Sequence, residues 1–417
     1  MRLFAGMALA LVMAPGAALA SPWAEQLPDL LYAGTGAAQR DAYAEACDEG
    51  SAEACFGTGL IDLILAAEGL SQGLYRHGAT PPDMGAAAML LGVPGSMAAG
   101  PANPDPEPVS YEQLRALLDD FVAGLDQARQ GFLLAGEMDD FTIPIDPLLV
   151  RLDLDGDGEA GAGETLAALL GDALELPQGK SKGGKTAKVD TTIGFDRADA
   201  FWFAGYTQIA AAPVDLLLAH DFSDLFAALG HRVFPKSGLP MQDFSRGGTL
   251  MLDPESDTFI ADMIAALHTM QFPVADGERL KGVLERLQSV TALSRRNWEA
   301  ILAETDDNRE LVPSPRQTSL VPGHEVDQDV VDAWMATLDR VDEILAGDLL
   351  LPHWRFRQGF DLRAYFETAT ETDLVMLFTG QGALPFLRDG PVADAQSFAA
   401  GNAVFGDRWP NFAIWFN

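Results

Sequence analysis

The stretch that decides the fold runs from residue 38 to residue 76, AQRDAYAEACDEGSAEACFGTGLIDLILAAEGLSQGLYR. Ala, Leu, Glu and Gln are abundant in it and β-branched residues are few, a composition that favours α-helix. Gly50-Ser51 interrupts the pattern, so we predict two helices, over residues 38–48 and 52–76. Similar patterns recur downstream. We therefore predict a predominantly α-helical fold, an irregular multi-helix bundle with long loops and room for a few short strands near the C-terminus.

The next helix has a well-defined start. Ser110 and Gln113 have the spacing of a capping box, and apolar residues then recur at intervals of three and four. We expect residues 79–109 to form an irregular connection before it. Residues 350–417 are dense in aromatics and glycine, and their pattern defines no single element type. Further helices are predicted near residues 196–219, 221–230, 256–270, 276–304 and 327–346.

Cys47 and Cys55 are the two cysteines of the chain. An oxidising compartment favours a disulfide between them, and two free buried thiols are the alternative. Residues 43–59, YAEACDEGSAEACFGTG, resemble one unit of the cysteine-linked Sel1-like helical repeats, which are protein-interaction solenoids. The resemblance extends over about residues 37–77, and it implies a protein partner.

The N-terminus has the features of a secretory signal peptide. Arg2 supplies a positive charge, an apolar run follows it, and Ala18-Leu19-Ala20 gives small residues at a cleavage point before Ser21. The alternative is a membrane anchor, but the apolar run is shorter than the roughly 20 residues that cross a bilayer. We predict export to a bacterial periplasm or secretion, and no integral membrane segment after cleavage.

The chain carries 27 basic and 61 acidic residues, a formal net charge of −34. Such acidity repels phosphate backbones, so no nucleic-acid partner is expected. Lys-rich, Gly-rich residues 176–192 mark the best internal boundary and are predicted to be a flexible basic linker. The predicted regions are therefore a signal peptide (1–20), an N-terminal helical region (21–175), the linker and a C-terminal helical region (193–417) that packs with the first or stands apart.

Residues 153–164, DLDGDGEAGAGE, resemble the 12-residue loop of an EF-hand. Calcium requires six to eight oxygen ligands, and side chains at alternate positions converge on one ion only if the chain turns sharply. Gly158 provides the turn at position six. The ligands implied at positions one, three, five, seven (through its backbone carbonyl) and twelve are Asp153, Asp155, Asp157, Glu159 and Glu164.

The loop also departs from the EF-hand pattern. Ala160 stands where a branched aliphatic residue is usual, and Gly161 provides no side-chain oxygen at position nine. Pro144 and Pro147 leave room for at most a short entering helix, whereas residues 165–174 can form an exiting helix. The alternative is an Asp/Gly-rich surface turn. We predict a single calcium site with a mainly structural role.

Other motifs carry less weight. Residues 179–186, GKSKGGKT, fit the phosphate-loop pattern, but neither a preceding strand nor a following helix is predicted, so no nucleotide is expected. The histidines lack paired ligand spacing, and His220 is predicted to be a capping or packing residue. The carboxylate pairs Asp196/Asp199 and Asp139/Asp140 are of a kind that arises by chance in so acidic a chain.

These observations favour an exported calcium-binding helical protein of the binding or scaffolding type. The alternative is a cell-envelope hydrolase in which acidic residues act in a cleft between the two halves. A deep pocket with two facing carboxylates and no contact with the calcium loop would favour that alternative.

Overall fold

The computed structural model describes residues 21–80, 103–170, 179–180, 186–187, 190–243, 253–320 and 325–416. These residues are predominantly α-helical, as predicted, with a few short two-stranded sheets. The predicted signal peptide lies outside them, as does most of the predicted linker.

The long helices agree closely with the predicted ranges. We number the helices in chain order as α1 Pro22–Ala33, α2 Arg40–Asp48, α3 Ala52–Arg76, α4 Tyr111–Glu137, α5 Leu166–Leu170, α6 Arg197–Leu218, α7 Ser223–Val233, α8 Pro240–Asp243, α9 Pro254–His268, α10 Gly277–Ala303, α11 Gln328–Ala346, α12 Leu362–Thr368, α13 Leu374–Thr379, α14 Ala399–Phe405 and α15 Trp409–Phe416.

Among the described residues the strands form four antiparallel pairs, and three of these pairs include a strand that precedes residue 350. They are β1 Thr142–Ile145 with β4 Ile193–Asp196, β2 Gly179–Lys180 with β3 Thr186–Ala187, β5 Gln271–Pro273 with β7 Glu371–Asp373, and β6 Gly359–Phe360 with β8 Leu387–Arg388. Short strands near the C-terminus were expected, whereas β1 and β4 were not.

Local capping explains where the main helices begin. Ser51 accepts a hydrogen bond from the Ala54 N–H at the start of α3. Ser110 and Gln113 form the predicted capping box at the start of α4, and each cap satisfies N–H groups that the helix itself leaves without a partner. Cys47 in α2 and Cys55 in α3 lie at disulfide-bonding distance with their Cα atoms 4.5 Å apart, so the predicted pair is brought together.

Helices α3 and α4 pack very closely because glycines lie where they cross. A Cβ atom on Gly131 would lie 2.7 Å from the backbone nitrogen of Gly59, a distance that real Cβ atoms do not adopt. Beside this crossing the fully buried rings of Phe56 and Phe132 contact the partly buried ring of Phe203. Helix α3 is long and apolar enough to cross a membrane, but 56% of its most apolar window is buried inside the protein.

Helix α6 packs against both α4 and α10. The helix predicted near residues 196–219 is thereby confirmed, and many of its residues are buried. A second core packs Trp298 of α10 and Trp334 of α11 against the aromatic residues of α14 and α15. Of the two carboxylate sites described next, the loop at residues 153–164 contacts α3, and the other lies where α6 begins and α10 ends.

Candidate metal-binding loop and buried carboxylate cluster

The predicted calcium loop, residues 153–164, begins after a turn that follows β1 and ends at α5. Its two ends are held together by backbone hydrogen bonds, from Leu152 N–H to the Glu164 carbonyl (3.0 Å) and from Leu166 N–H to the Val150 carbonyl (2.9 Å). A β-bridge therefore closes the loop where an EF-hand has an entering helix. The exiting helix is present over Leu166–Leu170, and the rest of its predicted range lies outside the described residues.

Two glycines give the loop its sharp turn. Gly156 and Gly158 adopt left-handed backbone conformations, with φ of +78° and +87°, which side chains rarely tolerate. Their N–H groups donate to the two carboxylate oxygens of Asp153 at 2.8 and 3.1 Å. The Asp153 side chain therefore points into the concave side of the turn.

The Glu164 side chain folds back over the same space. Its two oxygens accept hydrogen bonds from the N–H groups of Leu154 (2.9 Å) and Gly161 (2.6 Å). One carboxylate oxygen each from Asp153, Asp155 and Glu164 lies within 4.8 Å of the others. Ligands about 2.4 Å from a shared calcium ion are separated by at most this distance, so the three oxygens fit one ion.

Asp157 and Glu159 lie farther out. Both are exposed, and the Asp157 carboxylate accepts the Glu159 N–H at 2.8 Å. The structure therefore brings together the side-chain oxygens of Asp153, Asp155 and Glu164 among the predicted ligands. The Asp157 side chain lies at the exposed edge of the loop, and Glu159, predicted to bind through its backbone carbonyl, follows it there.

Side chains of helix α3 form hydrogen bonds with the backbone of the loop, a contact that the sequence did not reveal. Glu68 accepts the Asp153 N–H (2.9 Å), Gln72 donates to the Asp153 carbonyl (2.8 Å), and Ser71 donates to the Leu154 carbonyl (3.0 Å). Burial raises the pKa of the Glu68 carboxyl, and the charges of Asp153 and Glu164 raise it further. The local signal in the sequence was that Ser71 and Gln72 follow Glu68 by three and four positions, which places three polar side chains on one face of a largely apolar helix.

A second group of carboxylates lies at the start of α6. Asp196 caps this helix, and Asp199 completes its capping box. Glu304 and Glu310 come from the loop that follows α10, and one oxygen each of Asp196, Glu304 and Glu310 lies within 4.8 Å of the others. Asp196, Asp199 and Glu310 are 6%, 5% and 3% exposed. We call these four residues the carboxylate cluster.

Burial and mutual repulsion keep protons on the carboxylate cluster. Burial, followed by the charge of Glu310, raises the pKa of Asp196 to about 7. Burial and Asp196 raise the pKa of Glu304 to about 9 and that of Asp199 well above its ordinary value. Burial also raises the pKa of Glu310, with Asp306, Asp307 and Asp140 adding to the shift. Burying a carboxylate favours its neutral form unless a cation compensates.

No Lys or Arg among the described residues forms an ion pair with the carboxylate cluster. Its polar partners are neutral donors, including the N–H of Asn308 and the side-chain amide of Gln317. The cluster can share protons among its members, and when ionised it has the oxygen donors that hard divalent cations prefer. The pair Asp196/Asp199, set aside as chance, thus belongs to a larger group.

A cleft of 830 Å³ opens between α4, α6 and α10. At its base Asp215 pairs with both Arg279 and Arg286. Although burial acts in the opposite direction, hydrogen bonds and charge from Arg286 hold the pKa of Asp126 below its ordinary value. Arginine thus accompanies the carboxylates at the base of this cleft.

His220 is a packing residue, as predicted. It is 4% exposed, and its ring nitrogens contact the Leu216 carbonyl and the Thr372 hydroxyl, both at 2.7 Å. Burial lowers its pKa. The ring joins α6 to β7.

No protein-family model, curated protein or solved structure matches this chain. Its function is therefore argued from its own residues.

Proposed function

We propose that the protein is an exported calcium-binding helical protein of the binding or scaffolding type. In this proposal calcium has a structural role and orders residues 153–164 against α3. The observation that carries it is the convergence of the Asp153, Asp155 and Glu164 oxygens within 4.8 Å around a sharp glycine turn. Hard oxygen donors on a flexible loop favour calcium over smaller ions.

The surroundings of the loop support the structural role. The Asp153 backbone is held by Glu68 and Gln72 of α3, so an ion on Asp153 would be rigidly connected to a long core helix of the N-terminal region. A single loop without a paired partner binds weakly, with a dissociation constant on the order of 0.1–1 mM. Calcium at that level is available mainly outside the cytoplasm, and the Cys47–Cys55 pair also favours an oxidising compartment.

Isothermal titration of the mature chain, residues 21–417, with calcium tests the proposal. We expect one site of millimolar or submillimolar affinity that Asp153→Asn/Glu164→Gln abolishes. A matched control, Asp327→Asn/Glu278→Gln, changes exposed carboxylates on α11 and α10 and should leave the titration unchanged. The absence of binding at millimolar calcium, or an unaltered titration in the loop variant, would contradict the proposal. Mass spectrometry of the natural protein tests export, with Ser21 expected as its first residue.

The hydrolase alternative has weaker support. A general acid needs a raised pKa and access to substrate. At the base of the cleft Asp126 has a lowered pKa, and Asp215 is paired with two arginines. Among the carboxyl groups with strongly raised pKa values, Asp196 and Asp199 are almost entirely buried, and Glu304 is half-buried but does not line the cleft.

A further inference from the structure

Two exposed aromatic side chains lie side by side near the C-terminal end of α13. Trp354 and Phe378 are each 71% exposed, and their ring centroids are 6.1 Å apart. The Trp354 indole N–H donates to the Phe378 carbonyl at 2.8 Å, and His353 contacts the Leu377 carbonyl at 3.0 Å. These bonds fix the loop at residues 353–357 against α13, so the aromatic pair is held in a defined position.

The charge around this pair differs from that of the rest of the chain. Residues 351–360 and 374–388 contain no Asp or Glu, in a protein with 61 acidic and 27 basic residues, and Asp373, which caps α13 through the Met376 N–H, directly precedes the second stretch. Arg355 and Arg357 are exposed and form no ion pair within the described part of the chain. Met376 adds a 38% exposed apolar side chain. We call Trp354, Arg355, Arg357, Met376 and Phe378 the aromatic-basic patch.

We infer that the aromatic-basic patch docks the protein on the surface of a bilayer that contains anionic lipid. Trp and Phe favour the boundary between headgroups and acyl chains, and arginines beside them attract anionic headgroups. Exposed charges more than about 8 Å away are largely screened at physiological ionic strength. Arg355 and Arg357 provide the local positive charge, of which Asp373, bonded to the Met376 N–H at 2.8 Å, offsets a part. The acidic remainder of the surface disfavours other orientations.

A protein occupant fits the patch less well. The exposed parts of Trp354 and Phe378 amount to roughly 300 Å², whereas a stable protein interface buries about 800 Å² on each partner. A symmetric contact with a second copy would also place Arg355 and Arg357 against the same arginines of the other chain. A bilayer needs only a few inserted side chains and supplies negative charge.

Co-sedimentation with vesicles tests the inference, using the mature chain in EDTA so that calcium cannot bridge protein and lipid. We expect binding to vesicles of phosphatidylcholine and phosphatidylglycerol at 7:3 and little binding to phosphatidylcholine alone. Trp354→Ala/Phe378→Ala should weaken binding more than tenfold, because it removes two inserted rings. Arg357→Gln, which changes a side chain without an ion-pair partner, should weaken it about fivefold.

Two control variants change comparable groups elsewhere. Phe259→Ala removes a 48% exposed ring on α9, and Lys281→Gln removes an exposed cation on α10; both should bind vesicles like the parent. Circular dichroism and thermal unfolding verify that each variant is folded. If the double alanine variant is unfolded, vesicle binding of Arg357→Gln and Arg357→Glu tests the inference instead.

Three results would overturn the inference: no sedimentation with anionic vesicles, binding unchanged by the patch variants, or equal binding to neutral vesicles. A fourth is concentration-dependent self-association, measured by analytical ultracentrifugation, that the patch variants abolish without any vesicle binding. Because EDTA removes calcium, the outcome does not depend on the proposed calcium site.

Discussion

Replacing Asp196 with Asn should stabilise the protein above neutral pH. Asn caps a helix about as well as Asp, so the start of α6 keeps its cap while the carboxylate cluster loses one charge. Several charged groups act on Asp196: Asp199 on α6, Asp140 before β1, and Glu304 and Glu310 after α10, while Asp306 acts on Glu304 and Glu310. Arg197 is the cation near Asp140.

The size of the effect follows from the pKa of Asp196. Its folded value of about 7 lies above the ordinary 3.8, so the folded protein retains a proton that the unfolded chain releases. Stability therefore falls as pH rises from about 4 to 7, and the loss is complete above that range. A difference of about 3 pKa units corresponds to about 4 kcal/mol. Water entry and side-chain rearrangement reduce such costs, so we expect a gain on the order of 2 kcal/mol or more at pH 8.

Urea unfolding in EDTA at pH 4, 6 and 8 provides the measurement. Asp196→Asn should match the parent near pH 4 and exceed its free energy of unfolding increasingly at pH 6 and 8. The control is Asp327→Asn, which alters the exposed N-cap of α11 in the same chemical way and should show no such trend. An Asp196→Asn protein less stable than the parent at pH 8, or a difference independent of pH, would refute the reasoning.

Three further predictions concern the calcium loop, the disulfide and the helix crossing. At 10 mM calcium and a dissociation constant of about 1 mM, the free energy of unfolding should rise by about 1.4 kcal/mol, and Glu164→Gln should abolish the rise; an equal rise in that variant would contradict it. Cys47→Ala/Cys55→Ala should cost about 2.5 kcal/mol, because a loop of this length loses that much closure entropy when bonded, and urea unfolding of parent and variant measures it. Gly131→Ala should cost roughly 1–3 kcal/mol, since the new Cβ would meet the Gly59 backbone at 2.7 Å. Gly69→Ala is its matched control, because its Cβ meets nothing within 4 Å, and it should stabilise α3 by about 0.5–1 kcal/mol.

Features encoded within one stretch of chain were predicted well from the sequence. The capping box of Ser110 and Gln113 defined the start of α4, and the interruption at Gly50-Ser51 separated α2 from α3. Both depend on residues that lie within a few positions of each other, so propensity and spacing suffice. The convergence of Asp153, Asp155 and Glu164 is local in the same sense.

Features that depend on distant residues were missed. The pairing of β1 with β4 joins two four-residue strands, too short for a periodic signal, and one of them contains Pro144. Glu304 and Glu310 reach Asp196 only because α10 packs along α6 and ends beside the start of that helix. The buried charge of Asp215 is unfavourable in an apolar helix unless a cation pairs with it. Arg279 and Arg286 of α10, which lie far from Asp215 in the sequence, form these ion pairs.

The carboxylate cluster and the loop place their carboxylates in different surroundings. In the carboxylate cluster, burial makes each additional negative charge costly, so protons occupy sites that a cation would need. In the loop, Asp153 and Glu164 are half-buried, and their carboxylate oxygens accept backbone N–H groups. Our proposal places the metal at Asp153, Asp155 and Glu164, whereas the expected pH dependence of stability comes from Asp196 and its neighbours. The calcium titration and the pH series with Asp196→Asn therefore test separate parts of the molecule.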